Sequence, residues 1–224
     1  MKAIIFDSST LINFVMNGLE GMLVSLKKEF SGKFIITRYV KFETFDRPIN
    51  NKQFELGALK ILHLLNSKVL EMPESLGISE NNLRERTKNI LGKANRTFSA
   101  RGEFMHIIDE GEASCLALSL LAEEKGIKNV IAIDERTTRM LGEKPENLQK
   151  LFEKKFHMDI KLFKDNIPEI SSVKFIRSSE LAYVAWKKKI IELEDGKVLD
   201  ALLYATKFKG SAISQKEIEE IKRL

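Results

Sequence analysis

Hydrophobic positions along the chain alternate between two periodicities. Residues 2–6 carry a short apolar run, Ala3-Ile4-Ile5-Phe6, as expected of a central parallel strand covered on both faces. The run stops at Asp7-Ser8-Ser9-Thr10, and two of these hydroxyls are expected to cap a helix carrying Leu11, Ile12 and Val15 that ends near Gly18. Leu19, Met22, Leu23, Leu26 and Phe30 then recur at helical spacing. Phe34-Ile35-Ile36 read as a second strand, and 39–45 as a short helix closed off by Pro48. Helical spacing returns over 54–65, and 69–72 reads as a third strand before Pro73.

Leu83, Thr87, Ile90, Leu91, Ala94 and Phe98 mark a further helix, and 109–125 a strongly apolar one stopped by Gly126. A fourth strand is expected at 130–133, ending at Asp134, then a helix at 147–156 and a fifth strand at 173–176. Tyr183, Trp186, Ile190 and Leu193 place a stripe on one helix, and Val198, Leu202 and Ala205 lie on the next, which ends at Gly210. Ser214 and Glu217 have capping-box spacing and open a terminal helix. This alternation predicts an α/β fold with a central parallel sheet of about five strands and right-handed crossovers. No repeat or Gly/Ser linker interrupts it, so the expected organisation is one domain over 1–180 with a helical C-terminal extension, 181–224, packed on it.

Composition narrows the class. Of 224 residues, 43% are hydrophobic and 31% charged, which excludes a fibre or a disordered tail. No apolar run approaches the roughly 20 residues that cross a bilayer, so no membrane partner is expected. A carboxylate at Asp7 comes too early for a secretory signal. The single Cys115 forbids an internal disulfide and a thiolate zinc site, and its apolar helix face suggests an inert core thiol. The expected compartment is cytoplasmic. Lys and Arg total 37 against 32 Asp and Glu, and the resulting +5 favours a polyanionic partner without identifying one. His63, His106 and His157 make no metal-ligand spacing, and no phosphate-binding Gly-rich loop is present. Tyr183 with Trp186 reads as core packing or a dimer seam before it reads as a base-stacking platform.

The chemistry lies in acids at strand ends, where parallel α/β sheets gather their ligands. Asp7 follows the first strand and Asp134 the fourth, while Glu43 and Glu112 sit on short helical segments. If the first and fourth strands are neighbours, all four can converge. That much negative charge forces protonation unless a cation compensates it, and an all-oxygen set suits Mg²⁺ or Mn²⁺ rather than zinc. Each acid also has a structural reading: Asp7 as a strand-to-helix turn, Glu43 as a solvated helix residue, Glu112 as the end of a capping box, and Asp134-Glu135-Arg136 as a helix start. A second feature is the basic helix at 79–101, where Arg84, Arg86, Lys88, Lys93 and Arg96 form a candidate RNA-backbone track or a solvated face.

The ordered set resembles a PIN-domain protein of the branch with a Gly-Glu-Ala helix start. The matching segments are Ile4 to Ile12, Phe34 to Thr37 leading into Val40-Lys41-Phe42-Glu43, Asp109-Glu110-Gly111-Glu112-Ala113, and Ile131 to Arg136. The resemblance implies a PIN-like three-layer α/β/α sandwich and a metal-dependent endoribonuclease for single-stranded RNA. It places the family's four acids on Asp7, Glu43, Glu112 and Asp134, with Asp7, Glu112 and Asp134 holding Mg²⁺ or Mn²⁺ and Glu43 acting through water. It also places an accessory hydroxyl on Ser9 or Thr10 and an assisting acid on Glu135, while Ser178-Ser179 stands where relatives carry a small polar pair. The basic helix and the tail exceed the compact toxin-type members and favour RNA maturation or turnover. A homodimer, or a protein partner such as an antitoxin or RNA-processing factor, also remains open. Two other readings compete. A haloacid-dehalogenase-like phosphatase would need an aspartate where Ser9 stands, and a non-catalytic RNA- or protein-binding scaffold would use the acids only structurally.

Overall fold

The computed structural model describes residues 1–191, 193 and 195–224. Strands β1 (Lys2–Phe6), β2 (Lys33–Ile35), β5 (Lys128–Ala132) and β7 (Phe175–Ile176) form a parallel sheet in the order β2-β1-β5-β7. The register pairs Ile4 with Phe34 on one side and with Val130 on the other. Ala3 to Phe6 are all buried, so both faces of β1 are covered, as its unbroken apolar run requires. The expected neighbourhood of the first strand and the 128–132 strand is present, which brings Asp7 and Asp134 to one sheet edge.

Among the described residues the sheet has four strands, not about five. In the predicted strand at 69–72, only Glu71 bridges to β2, with its N–H donating to Phe34 O at 2.8 Å and its carbonyl accepting from Ile36. The preceding amides of Val69 and Leu70 donate instead to Leu64 O, closing helix α4 (Glu55–Asn66), and Pro73 starts a 3-10 turn. Too few amides remain for a ladder.

Helices α1 (Ser8–Met16), α2 (Glu20–Glu29) and α3 (Arg38–Lys41) occupy their expected places. The cap of α1 is Asp7 itself, not a following hydroxyl, and the helix begins at Ser8. Residues Phe42–Asp46 continue α3 as a wider π-type turn that carries Glu43. Helix α5 (Glu80–Ala94) ends before Phe98, because the Asn95 side chain accepts the N–H groups of Ile107 and Ile108 and donates to Ile108 O. Phe98 belongs instead to a second, antiparallel sheet that the sequence pattern did not reveal. Its order is β4-β3-β6, from β3 (Phe98–Ala100), β4 (Glu103–Phe104) and β6 (Ile160–Leu162). Strands this short carry too few positions to display a period.

Helix α6 (Glu110–Glu124) is buried around most of its circumference and packs against β1, β5 and α5. Beyond α7 (Arg136–Glu143) and α8 (Pro145–Phe156), helix α9 (Ser178–Lys187) stops before Ile190 and Leu193, so the predicted stripe is cut after Trp186. Helices α10 (Val198–Phe208) and α11 (Gln215–Ile221) close the chain around their own cluster of Leu199, Leu203, Ile213, Ile218 and Ile221. Tyr183 and Tyr204 pack against this cluster, and α10 packs on α9. No helix among the described residues is long and apolar enough to cross a membrane.

If α10 and α11 fold with the rest of the chain, Leu203→Ala, at a fully buried position, lowers global stability by about 2–5 kcal/mol. Denaturant unfolding followed by circular dichroism should keep a single transition. Two separated transitions would mark the extension as an independent unit.

Candidate active site

Asp7 leaves the carboxyl end of β1 and is almost fully buried. Its Oδ2 accepts from Ser9 N–H at 3.0 Å and from Ser9 Oγ–H at 2.6 Å. Its Oδ1 is buried and has no donor among the described residues. The same Ser9 hydroxyl accepts the Asp134 N–H at 3.1 Å, so one side chain ties the two strand ends together. The Asp7 N–H donates to Ala132 O at 2.9 Å and extends the β1–β5 ladder to the site's rim.

Asp134, also buried, is held differently. Oδ1 accepts both the N–H and the hydroxyl of Ser178 at 2.9 Å, and Oδ2 accepts Asn13 Nδ2 at 3.0 Å. With two acceptor sites per oxygen, only one on Oδ2 stays open. Asn13 also donates to Ser178 Oγ at 3.1 Å and to Thr206 O at 2.8 Å, linking the acid to α10.

Glu112 closes the capping box of α6, with Oε2 accepting the Asp109 N–H at 2.8 Å. Burial pushes its carboxyl up to about 8 from an ordinary 4.5; the Asp109 N–H pulls the other way, and the charges of Asp7 and Glu135 add to the rise. Asp7 is raised mainly by burial, against the hydroxyl and amide of Ser9 and, more weakly, the amide of Ser8, with Asp134 adding to the rise. Glu43 is raised by burial, opposed by a hydrogen bond from Ser8, with Asp7, Asp109 and Glu110 adding to the rise. Asp7 is therefore the hub with which each of the other three acids interacts. The Cys115 thiol reports the same convergence: burial raises it, and the negative charges of Asp7, Glu43 and Glu112 raise it further. Cys115 is buried, as the sequence suggested.

Gly111 permits this approach. A Cβ there would lie 2.7 Å from both Glu43 carboxylate oxygens, so only glycine leaves room for Glu43 against the first turn of α6. The assembly is not a closed cation cage: among the described residues, no three His, Cys, Asp or Glu side chains stand together as metal ligands. Asp134 points to Ser178 and Asn13, and Glu112 to its own helix cap. The residues do fit a hard cation in one respect, since Asp7 presents an orphaned buried carboxylate oxygen whose charge acts on Glu43 and Glu112.

The accessory residues divide. Ser9 is the clamp between strand ends, whereas the buried Thr10 hydroxyl has no partner. Glu135 caps α7 through Thr138 N–H at 2.7 Å and acts on Glu112 only by its charge. The five basic residues do not form one track. At about 100° per residue, Arg84 and Lys88 lie on one side of α5 and Arg86 and Lys93 on the other. Arg86 pairs with Glu124, and Lys93 lies 3.9 Å from Glu169. Arg84, Lys88 and Arg96 are exposed, with Arg96 beyond the helix end.

Sequence reasoning missed Asn13 and the spacing role of Gly111. The signal for Asn13 was present: it is a lone amide among Leu11, Ile12, Phe14 and Val15 on an otherwise apolar helix. Comparison of the chain with protein-family models, curated proteins and solved structures finds no match.

Raised carboxylates bind protons in the folded state that the unfolded chain has released. In metal-free solution, stability is therefore greatest at or below about pH 4.5 as far as Glu112 is concerned, and declines as pH rises through about 8. Glu112→Gln, which preserves the helix cap, should flatten that decline in denaturant titrations. An unaltered slope in the variant would show that Glu112 is not the titrating group.

Proposed function

We propose that this chain is a divalent-metal-dependent endoribonuclease acting on single-stranded RNA, with a PIN-like sandwich as its scaffold. The observation that carries the reading is the buried, donorless Asp7 Oδ1 at the centre of four interacting acids. Support also comes from the order of Asp7, Glu43, Glu112 and Asp134 along the chain, which matches the PIN-domain pattern.

Asp7 would hold Mg²⁺ or Mn²⁺ through Oδ1, Asp134 through its open site on Oδ2, and Glu112 after releasing the Asp109 N–H. When bound, such an ion supplies Lewis acidity toward water and the phosphodiester. Ser9 and Asn13 keep the two aspartates oriented. Glu43, half-buried and raised, accepts the proton of the attacking water. In-line attack forms the new bond from the water oxygen to phosphorus and breaks the bond to the 3′ oxygen, which takes a proton from solvent, leaving 5′-phosphate and 3′-hydroxyl ends. Arg84 and Lys88, the exposed pair on one side of α5, contact RNA phosphates and make affinity fall with salt.

The non-catalytic scaffold is the second reading. What favours it is that Asp134 and Glu112 are already engaged by donors of the protein itself. A thermal shift separates the two, because a nuclease of this design is stabilised by millimolar Mn²⁺ and a scaffold is not.

Asp7→Asn should abolish Mn²⁺-dependent cleavage of a labelled single-stranded RNA while leaving the circular-dichroism spectrum unchanged. Retained cleavage would sink the assignment. Gly111→Ala tests Glu43 separately: alanine favours the helix by about 1 kcal/mol, yet its methyl displaces the Glu43 carboxylate. Cleavage should drop roughly 10- to 100-fold without loss of stability.

A further inference from the structure

The small antiparallel sheet breaks the rule that an outward face is polar. Cross-strand partners share a face, and Ser99 is paired with Phe104 on one side and Lys161 on the other. Phe98 and Ile160, on the alternate positions, are buried in the core. Phe104 therefore points outward, where it is 53% exposed. Phe163, two residues beyond Lys161 and half-buried, joins it. Their ring centroids are 5.4 Å apart at 61°. Lys161 Nζ lies 4.7 Å from the Phe163 centroid.

The hairpin adds a second departure. Its two turn residues, Arg101 and Gly102, have φ of 53° and 87°. Tight hairpin turns with both angles positive favour Asn, Asp or Gly at the first position, so an arginine stands there against its backbone preference. A concavity of about 360 Å³ is lined by Ser99, Arg101, Phe104, Asp159, Lys161 and Phe163. It thus has two aromatic rings, a small residue between the rings' strands, and two cations against one carboxylate.

We propose that this face is a binding platform for single-stranded RNA, separate from the acidic cluster. A base stacks on the exposed Phe104 ring beside Phe163, and Arg101 and Lys161 take the flanking phosphates. Charge complementarity selects this occupant: an apolar partner would have to desolvate both cations, whereas a polyanion pairs with them. Ser99, between the two rings' strands, is buried at 8% exposure, so the accessible ring surface is that of Phe104. Thr97, whose carbonyl accepts the Phe163 N–H at 2.8 Å, continues the β3 edge of this sheet beside Phe163.

Fluorescence anisotropy with a labelled oligouridine in EDTA tests the platform with hydrolysis suppressed. Phe104→Ala and Phe163→Ala should each weaken binding about tenfold or more, while Phe104→Tyr retains it. Lys161→Glu should weaken binding and lower the salt slope by about one. EDTA removes the divalent cation that the nuclease reading requires, so loss of that reading leaves this result standing. Unchanged affinity in both alanine variants, with circular dichroism preserved, overturns the proposal. It is equally overturned if Phe104→Ala only abolishes a concentration-dependent dimer, which would assign the face to a second copy of the chain.

Discussion

Burial of carboxylates at the carboxyl ends of β1 and β5 is the constraint around which this molecule is organised. A buried carboxylate must be protonated, supplied with donors, or paired with positive charge. The chain uses donors for Asp134, which Ser178 and Asn13 nearly saturate, and for one oxygen of Asp7, which Ser9 serves. It leaves the other Asp7 oxygen bare and pushes Glu43 and Glu112 toward their neutral forms. A site built from such acids takes up a proton or a cation readily, and the two compete.

The same constraint explains why the C-terminal helices are more than an appendage. Asn13 can hold Asp134 only if its own amide is oriented, and Thr206 O on α10 accepts from that amide. Ala212 N–H donates to Asp134 O, and Arg177, buried beside α9, reaches Ala212 O, Glu180 and Glu217. Burial works against ionisation of Glu217, yet hydrogen bonds from Ser214 and Arg177 hold it at about 2. The ion pair is thus intact at neutral pH and fastens α11 to the start of α9. The extension fixes the back of the site while the acids form its front.

Much of this was legible in the residues. The continuous run at β1 announced a doubly covered strand, helical periods located α1, α2, α4, α5 and α6, and the capping boxes at Asp109 and Ser214 marked two helix starts. The four acids could be singled out because strand ends and helix starts are local features. The second sheet could not, since its strands of two or three residues show no period and depend on a partner some sixty positions away. Only the pairing of Ser99 with Phe104 and Lys161 assigns its phenylalanines a side.

Local sequence by itself determined the longer helices, the strands of the parallel sheet and which carboxylates sit at their ends, because period, caps and breakers act within a few residues. Only the tertiary structure decided that Asp7 meets Asp134 through Ser9, that Asn13 reaches from α1 to α10, and that Gly111 yields its space to Glu43. It also decided that Arg86 and Lys93 face acids while Arg84 and Lys88 face solvent. Each of these depends on burial and on contacts between distant parts of the chain, whose energies have no counterpart in the order of neighbouring residues.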